Sequence, residues 1–178
     1  LEDVYNEIYF SYDEEDSLQP VLSKLNDFVC VQFVGSDEHE LDTDFEGSRS
    51  IRKDHAQSII DIINFDLKIN VLNVFSKRNL FKNTCDIDQD LTYRNYAHLL
   101  KYAKGFVAID SCLNHMSANR FCNTKGVVLW NDHHANYRFN YSKNINMTTE
   151  TPNVMRFDKN QVIDNFTKTL RENVDVRS

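Results

Sequence analysis

Apolar residues in this chain fall into two kinds of run. Short, mostly continuous ones occupy Phe28–Val34, Ile69–Phe75, Phe106–Ile109 and Val127–Trp130. Runs of that length read as strands covered on both faces of a sheet. Between them, apolar residues recur at helical spacing. Ala56, Ile59, Ile60, Ile62 and Ile63 predict a helix over 52–65, and Tyr96, Leu99, Leu100 and Ala103 line one over Tyr93–Tyr102. A helix over Leu113–Phe121 follows the third strand, and Val162, Ile163, Phe166 and Leu170 mark a closing helix over Gln161–Leu170.

Strands alternating with helices predict right-handed crossovers and a parallel sheet with helices on its faces, an α/β, Rossmann-like fold. Residues 76–90 read as irregular, with a short strand near Cys85–Ile87. The acidic, tyrosine-rich segment 1–27 carries a weak strand pattern at Glu7–Ser11 and a helical turn at Leu22–Asp27. It is expected to be a linker or part of another domain, with the main domain spanning 28–178. Only four glycines and two prolines punctuate the 178 residues, so element ends are poorly marked.

Composition narrows the function classes. With 41% hydrophobic residues the chain can fill a core. A net charge of −7 argues against nucleic acid as a partner. Four cysteines without a CxxC pair fit a reduced, cytoplasmic setting. No apolar run reaches the roughly 18 residues of a transmembrane span. The chain begins at Leu1, not Met, which points to a fragment of a longer protein, with an upstream domain missing.

The candidate chemistry sits where strands end. Phe106-Val-Ala-Ile-Asp110-Ser111-Cys112-Leu113-Asn114-His115 joins a strand directly to a helix. Such a junction gathers unpaired amides and a favourable dipole for an anion. Ser111 with the amides of Cys112 and Leu113 can hold diphosphate oxygens. Asp110 can accept hydrogen bonds from sugar hydroxyls or simply cap the helix. His115, one turn into the helix, reads as a packed, hydrogen-bonded structural residue more readily than as a catalyst. A stabilised thiolate at Cys112 is a lesser option, with no base nearby to support it.

In an open parallel sheet, ligands bind beyond the carboxyl ends of the strands. Gly35-Ser36, Asp110–His115 and the loop starting at Asn131 are expected to meet there. The Arg49-Ser-Ile-Arg52-Lys53 cluster is either a solvated first turn or a phosphate counter-charge, and cations at a helix N-terminus oppose its dipole. Asp132-His133-His134 does not by itself make a metal site, because adjacent side chains rarely converge on one ion.

Taken with Gly126-Val-Val-Leu-Trp130, the 106–118 segment resembles the carboxy-terminal, nucleotide-sugar-binding domain of heptosyltransferase-like glycosyltransferases, the glycosyltransferase family 9 type. The family pattern is an apolar strand, Asp-Ser/Thr-Gly-x-x-His, a small-residue helix, then Val-Val-Leu-Trp/Phe-Gly. Phe139-Asn-Tyr141 with Asn144-Ile145 is similar to a Phe-Gly-Tyr…Asn-Ile stretch in some members. The resemblance spans about 28–147 and is sharp at 106–130.

The resemblance implies one half of a GT-B architecture that transfers a sugar from a nucleotide-diphosphate sugar to the hydroxyl of a glycan or other acceptor. The nucleotide-sugar is substrate, and no cofactor or metal is expected. Ser111, Cys112 and Leu113 would hold the diphosphate, Asp110 the sugar, and Ser36 and Arg49 the leaving-group charge, with His115 and Asn131 alongside. The catalytic base, typically from the other domain, is not identifiable here. Cys112 and Asn131 stand where the family has glycine, which leaves open a non-catalytic nucleotide-binding or interaction domain on the same scaffold. A response-regulator-like domain would put acidic residues after the first strand, where Val34-Gly35-Ser36 lies instead.

Overall fold

The computed structural model describes residues 12–35, 49–75, 80–85, 87, 91–119, 122–131, 141–149 and 154–177. Its centre is a parallel five-stranded sheet: β1 (Phe28–Gln32), β2 (Asn70–Asn73), β3 (Phe106–Ile109), β4 (Gly126–Trp130) and β5 (Ile145–Thr148), in the order β2-β1-β3-β4-β5. The predicted parallel α/β architecture is the observed one. Every residue of β1, β3 and β4 is buried, which explains why they read as mostly continuous apolar runs.

Alternation along the strands divides the interior into two layers. Val29, Val31, Val107, Ile109, Val127, Leu129 and Met147 point to one face. There they meet Ala56, Ile59 and Ile60 of α2 (Lys53–Asp61) and Val162 and Phe166 of α5 (Lys159–Arg177). Phe28, Cys30, Phe106, Ala108, Val128 and Trp130 point to the other. That face is covered by α1 (Tyr12–Leu25), α3 (Tyr93–Tyr102) and α4 (Cys112–Ser117). Register follows: Val31 sits beside Val107, and Val107 beside Val127.

Several elements differ from expectation. The N-terminal turn is the end of a 14-residue helix, α1, whose Leu18 and Leu25 are buried in the second layer. The predicted strand at Glu7–Ser11 lies outside the described residues. Helix α2 ends in a π-helical turn, Ile62–Asp66, which Leu67 N–H closes onto Ile62 O at 3.2 Å. Near the strand predicted at Cys85–Ile87, neither Cys85 nor Ile87 lies in a strand, and Cys85 N–H donates to Val71 O at 2.7 Å. Helix α4 has six residues and stops at Ser117, short of the predicted Phe121. Strand β5 was not foreseen, because Ile145-Asn-Met-Thr148 alternates with polar residues and has only Met147 buried. α5 runs to Arg177, past the predicted end at Leu170.

Sheet order reverses between β1 and β3, since β2 extends from one side of β1 and β4 from the far side of β3. A crevice at the carboxyl ends of β1 and β3 is the consequence. The order is also that of flavodoxin-type sheets, but β1 here leads into Phe33, Val34 and Gly35 rather than an acidic cluster.

Candidate functional site

The chain folds back onto the tip of β1 at the switch point. Ile51 N–H donates to Phe33 O at 2.9 Å, and Gly35 N–H donates to Ser50 Oγ at 2.9 Å. Glycine suits this close approach: a Cβ at 35 would lie 3.3 Å from Arg49 Cβ. The clasp places exposed Arg49 beside the tip of β3, where its Nη2 donates to the Asp110 carbonyl at 2.7 Å. Two segments 61 residues apart are thereby joined across the crevice.

Strand β3 passes directly into α4. The cap is Ser111, in extended conformation (φ −156°, ψ −177°), and its side chain makes no capping bond. The N-cap position is thus Ser111, with Asp110 one residue before it at the tip of β3. The first helical bond runs from Asn114 N–H to Ser111 O, 3.1 Å. The amides of Cys112 and Leu113 precede it, as the first amides of any helix do. Ser111 Oγ is buried without a hydrogen-bond partner among the described residues, which costs about 1–3 kcal/mol for such a group.

Cys112 is half-buried, and its thiol faces Gln32 Oε1 of β1 at 3.6 Å. Burial pushes this thiol above its ordinary range, so the stabilised-thiolate option fails. Leu113 is fully buried among the α3-side residues, leaving only its backbone for a ligand. His115 Nδ1 lies 3.1 Å from the Tyr141 hydroxyl, with the two rings edge to face. Burial holds the imidazole below its ordinary value, the Asp110 carboxylate pulls it back up, and Arg49 lowers it further. Arg49, Asp110 and His115 thus share one electrostatic neighbourhood.

A buried amide network fixes α4 from behind. Asn144 Nδ2 donates to Asn114 Oδ1 at 3.2 Å and to Ser117 Oγ at 2.8 Å, while Asn144 Oδ1 accepts from Gly126 N–H at 3.2 Å. The basic cluster divides. Arg52 is occupied by Asp54, with contacts of 2.9 and 2.5 Å that hold the Asp54 carboxyl below the usual range. Exposed Lys53 opens α2 with half-buried Arg52 as its N-cap, and Arg49 is the member that reaches the β3 tip.

Asn131 directly follows β4 and is buried. Gly35, Asp110 and Asn131 therefore follow the carboxyl ends of three adjacent strands, and the remainder of the two loops expected to meet there lies outside the described residues. Ser36 and the Asp132-His133-His134 run lie outside the described residues. The sequence reading missed Ser50 as the clasp and Tyr141 as the partner of His115. Ser50 sits inside the Arg49–Lys53 basic cluster and carries no sequence signal of its own. Tyr141 had only its place in the Phe139–Tyr141 stretch to mark it.

Farther along the same edge, the first turns of α2 and α5 border a cleft of ≈ 590 Å³ lined by Asp54, His55, Ser58, Arg156, Asp158 and Lys159. His55 bonds the Phe157 backbone there, and burial lowers its imidazole. Its Nε2 is buried without a partner among the described residues.

No protein-family model matches the chain, and no curated protein matches it. Solved structures do. The chain is similar to a glycosyl transferase family 9 protein from Veillonella parvula, with TM-score 0.69 and 12% identity, covering 93% of this chain and 53% of that one. It is also similar to E. coli heptosyltransferase WaaC solved with ADP, with TM-score 0.55, 12% identity and coverage of 84% and 45%. WaaC solved with ADP-2-deoxy-2-fluoro heptose matches at TM-score 0.51 and 10% identity, with coverage of 88% and 45%. The chain thus has a heptosyltransferase-like, family 9 glycosyltransferase fold and spans about half the length of the structures it matches.

Proposed function

We propose that this chain is the donor-binding half of a GT-B glycosyltransferase, which transfers a sugar from a nucleotide-diphosphate sugar to an acceptor hydroxyl. The observation that carries the reading is the Arg49 guanidinium anchored on the Asp110 carbonyl at the sheet's switch point, 2.7 Å away. Its remaining N–H groups offer a planar, permanently charged fork to phosphate oxygens. Ser111 Oγ and the first amides of α4 supply neutral donors beside it, so that negative charge on a departing nucleoside diphosphate meets preorganised dipoles. A neutral His115, held by Tyr141, adds a donor or acceptor without a second positive charge. The neighbours' ADP and ADP-heptose analogue complexes support a nucleotide-sugar as the ligand class. Acceptor and catalytic base belong to a second, facing domain in this reading.

Calorimetry of the 178-residue chain with ADP, UDP and GDP and their sugars tests the reading. At least one should bind, and Arg49→Ala should weaken it about tenfold or more, the worth of a charged hydrogen bond. Absence of binding by all of them refutes the donor site. Cys112 favours a second reading, a nucleotide-binding domain without turnover, because its side chain stands where the resemblance has glycine. Sugar transfer by this chain paired with a facing acceptor domain eliminates that alternative.

A further inference from the structure

The carboxyl edge carries an aromatic cluster that the sugar-diphosphate seat leaves unused. Phe75, just past β2, has φ 59°, a left-handed conformation that a bulky side chain adopts only when its surroundings hold it there. The Phe75 ring stacks on Tyr93 (centroids 5.3 Å apart, 27° between planes) and tilts against Tyr96 (4.2 Å, 47°). Tyr96 and Phe75 are partly buried against the α3-side core, so the pair is anchored. Tyr93, the first residue of α3, remains 69% exposed, with Phe75 covering one side of its ring. An anchored aromatic ring with this much free surface is a platform for another flat ring.

Topology places the cluster near the phosphate seat. Phe75 follows β2, while Asp110 and Ser111 follow β3, and only β1 lies between the two strands. At about 4.8 Å per strand, the cluster stands roughly 10 Å from the phosphate seat, the reach of a nucleoside from its diphosphate to its base. Both lie on one face of the sheet, because Cys112 at the start of α4 packs into the same core layer as Phe75 and Tyr96.

We propose that Tyr93, backed by Phe75, stacks on the nucleobase of the bound nucleoside diphosphate. The proposal rests on the nucleotide reading above and assigns the base its place. Stacking supplies affinity with little choice among bases, since every base offers a π-face.

The test compares wild-type chain, Tyr93→Ala and Tyr93→Phe by calorimetry, with ADP and with inorganic pyrophosphate, which has no base. Tyr93→Ala should weaken ADP about tenfold and leave pyrophosphate unchanged, and Tyr93→Phe should stay within about twofold of wild type. A thermal melt confirms that the exposed position leaves the fold intact. Unchanged ADP binding by Tyr93→Ala, with Arg49→Ala still weakening both probes, overturns the platform and spares the donor reading. Equal weakening of ADP and pyrophosphate by Tyr93→Ala also overturns it, since the base would then carry none of the loss. Wild-type chain that binds neither ADP, UDP nor pyrophosphate overturns both.

Discussion

The two ends of the sheet treat polar groups in opposite ways. At the amino end, side-chain amides sew the connections together. Asn173 Nδ2 donates to Lys104 O and Lys125 O at 2.8 and 3.1 Å, while its Oδ1 accepts from Lys125 N–H at 3.0 Å. Asn70 Nδ2 ties β2 to the end of α1 through Leu25 O at 2.8 Å, and Asn144 joins β4 to α4. At the carboxyl end, Ser111 Oγ, Thr149 Oγ1 and His55 Nε2 are buried with no partner among the described residues. Hydrogen bonds at one end stabilise the fold, and unmet ones at the other cost stability. Buried polar atoms left unpaired beside a crevice are what a ligand-binding edge needs before its ligand arrives.

Substitutions at the two ends should therefore change stability with opposite signs. The largest loss is expected at the amino end from Gly126→Ala, because a Cβ there collides with the Phe106 ring and carbonyl. Overpacking of this kind should cost about 3 kcal/mol in a denaturant titration or prevent folding. Asn173→Ala leaves two carbonyls and one amide without their partner and should cost about 2 kcal/mol, with nucleotide affinity of the folded protein unchanged. At the carboxyl end, Thr149→Val removes a buried, unpartnered hydroxyl and should stabilise by about 1 kcal/mol. Ser111→Ala should be neutral or stabilising while weakening the nucleotide. A loss of about 2 kcal/mol in either carboxyl-end variant would abolish the contrast.

The smallest expected effect is on pH dependence. Burial holds the imidazoles of His55 and His115 below their ordinary 6.5. The unfolded chain therefore binds more protons than the folded one in mildly acid solution, and stability falls as pH falls. Their contribution is complete above about pH 6.5 and is lost toward the lower folded values. Melting temperature should drop between roughly pH 7 and 5, and less steeply in His115→Gln. An equal slope in that variant would remove His115 from the account.

Legibility of the sequence followed the same division. β3 and α3 were readable to the residue: β3 is wholly buried, and Thr92 caps α3 reciprocally with Asn95. β5 was hidden because Asn146 spends its side chain on Trp130 Nε1, 2.8 Å away, instead of presenting an apolar position. Pro20 disguised α1, and the buried Leu18 and Leu25 reveal it only once α3 is in place. The Asp110–His115 junction could be picked out because strand and helix signals abut there. Its relation to Arg49 could not, since it depends on Ser50 and Ile51 returning to the tip of β1 across a long loop. Tyr93 was invisible as a platform because helical spacing put Tyr96 on the packed face and gave no meaning to the aromatic three residues before it.

The central claim is that the carboxyl end of β3 with Arg49 is a seat for a nucleoside diphosphate. An NMR titration of the isotope-labelled chain with ADP, UDP and GDP tests it most directly. The account predicts saturable shifts of the Ser111, Cys112 and Leu113 amides and the Arg49 side chain, with the amino-end Asn173 and Asn144 amides unmoved. Shifts confined to the amino end, or no shift with any of these nucleotides, would contradict it.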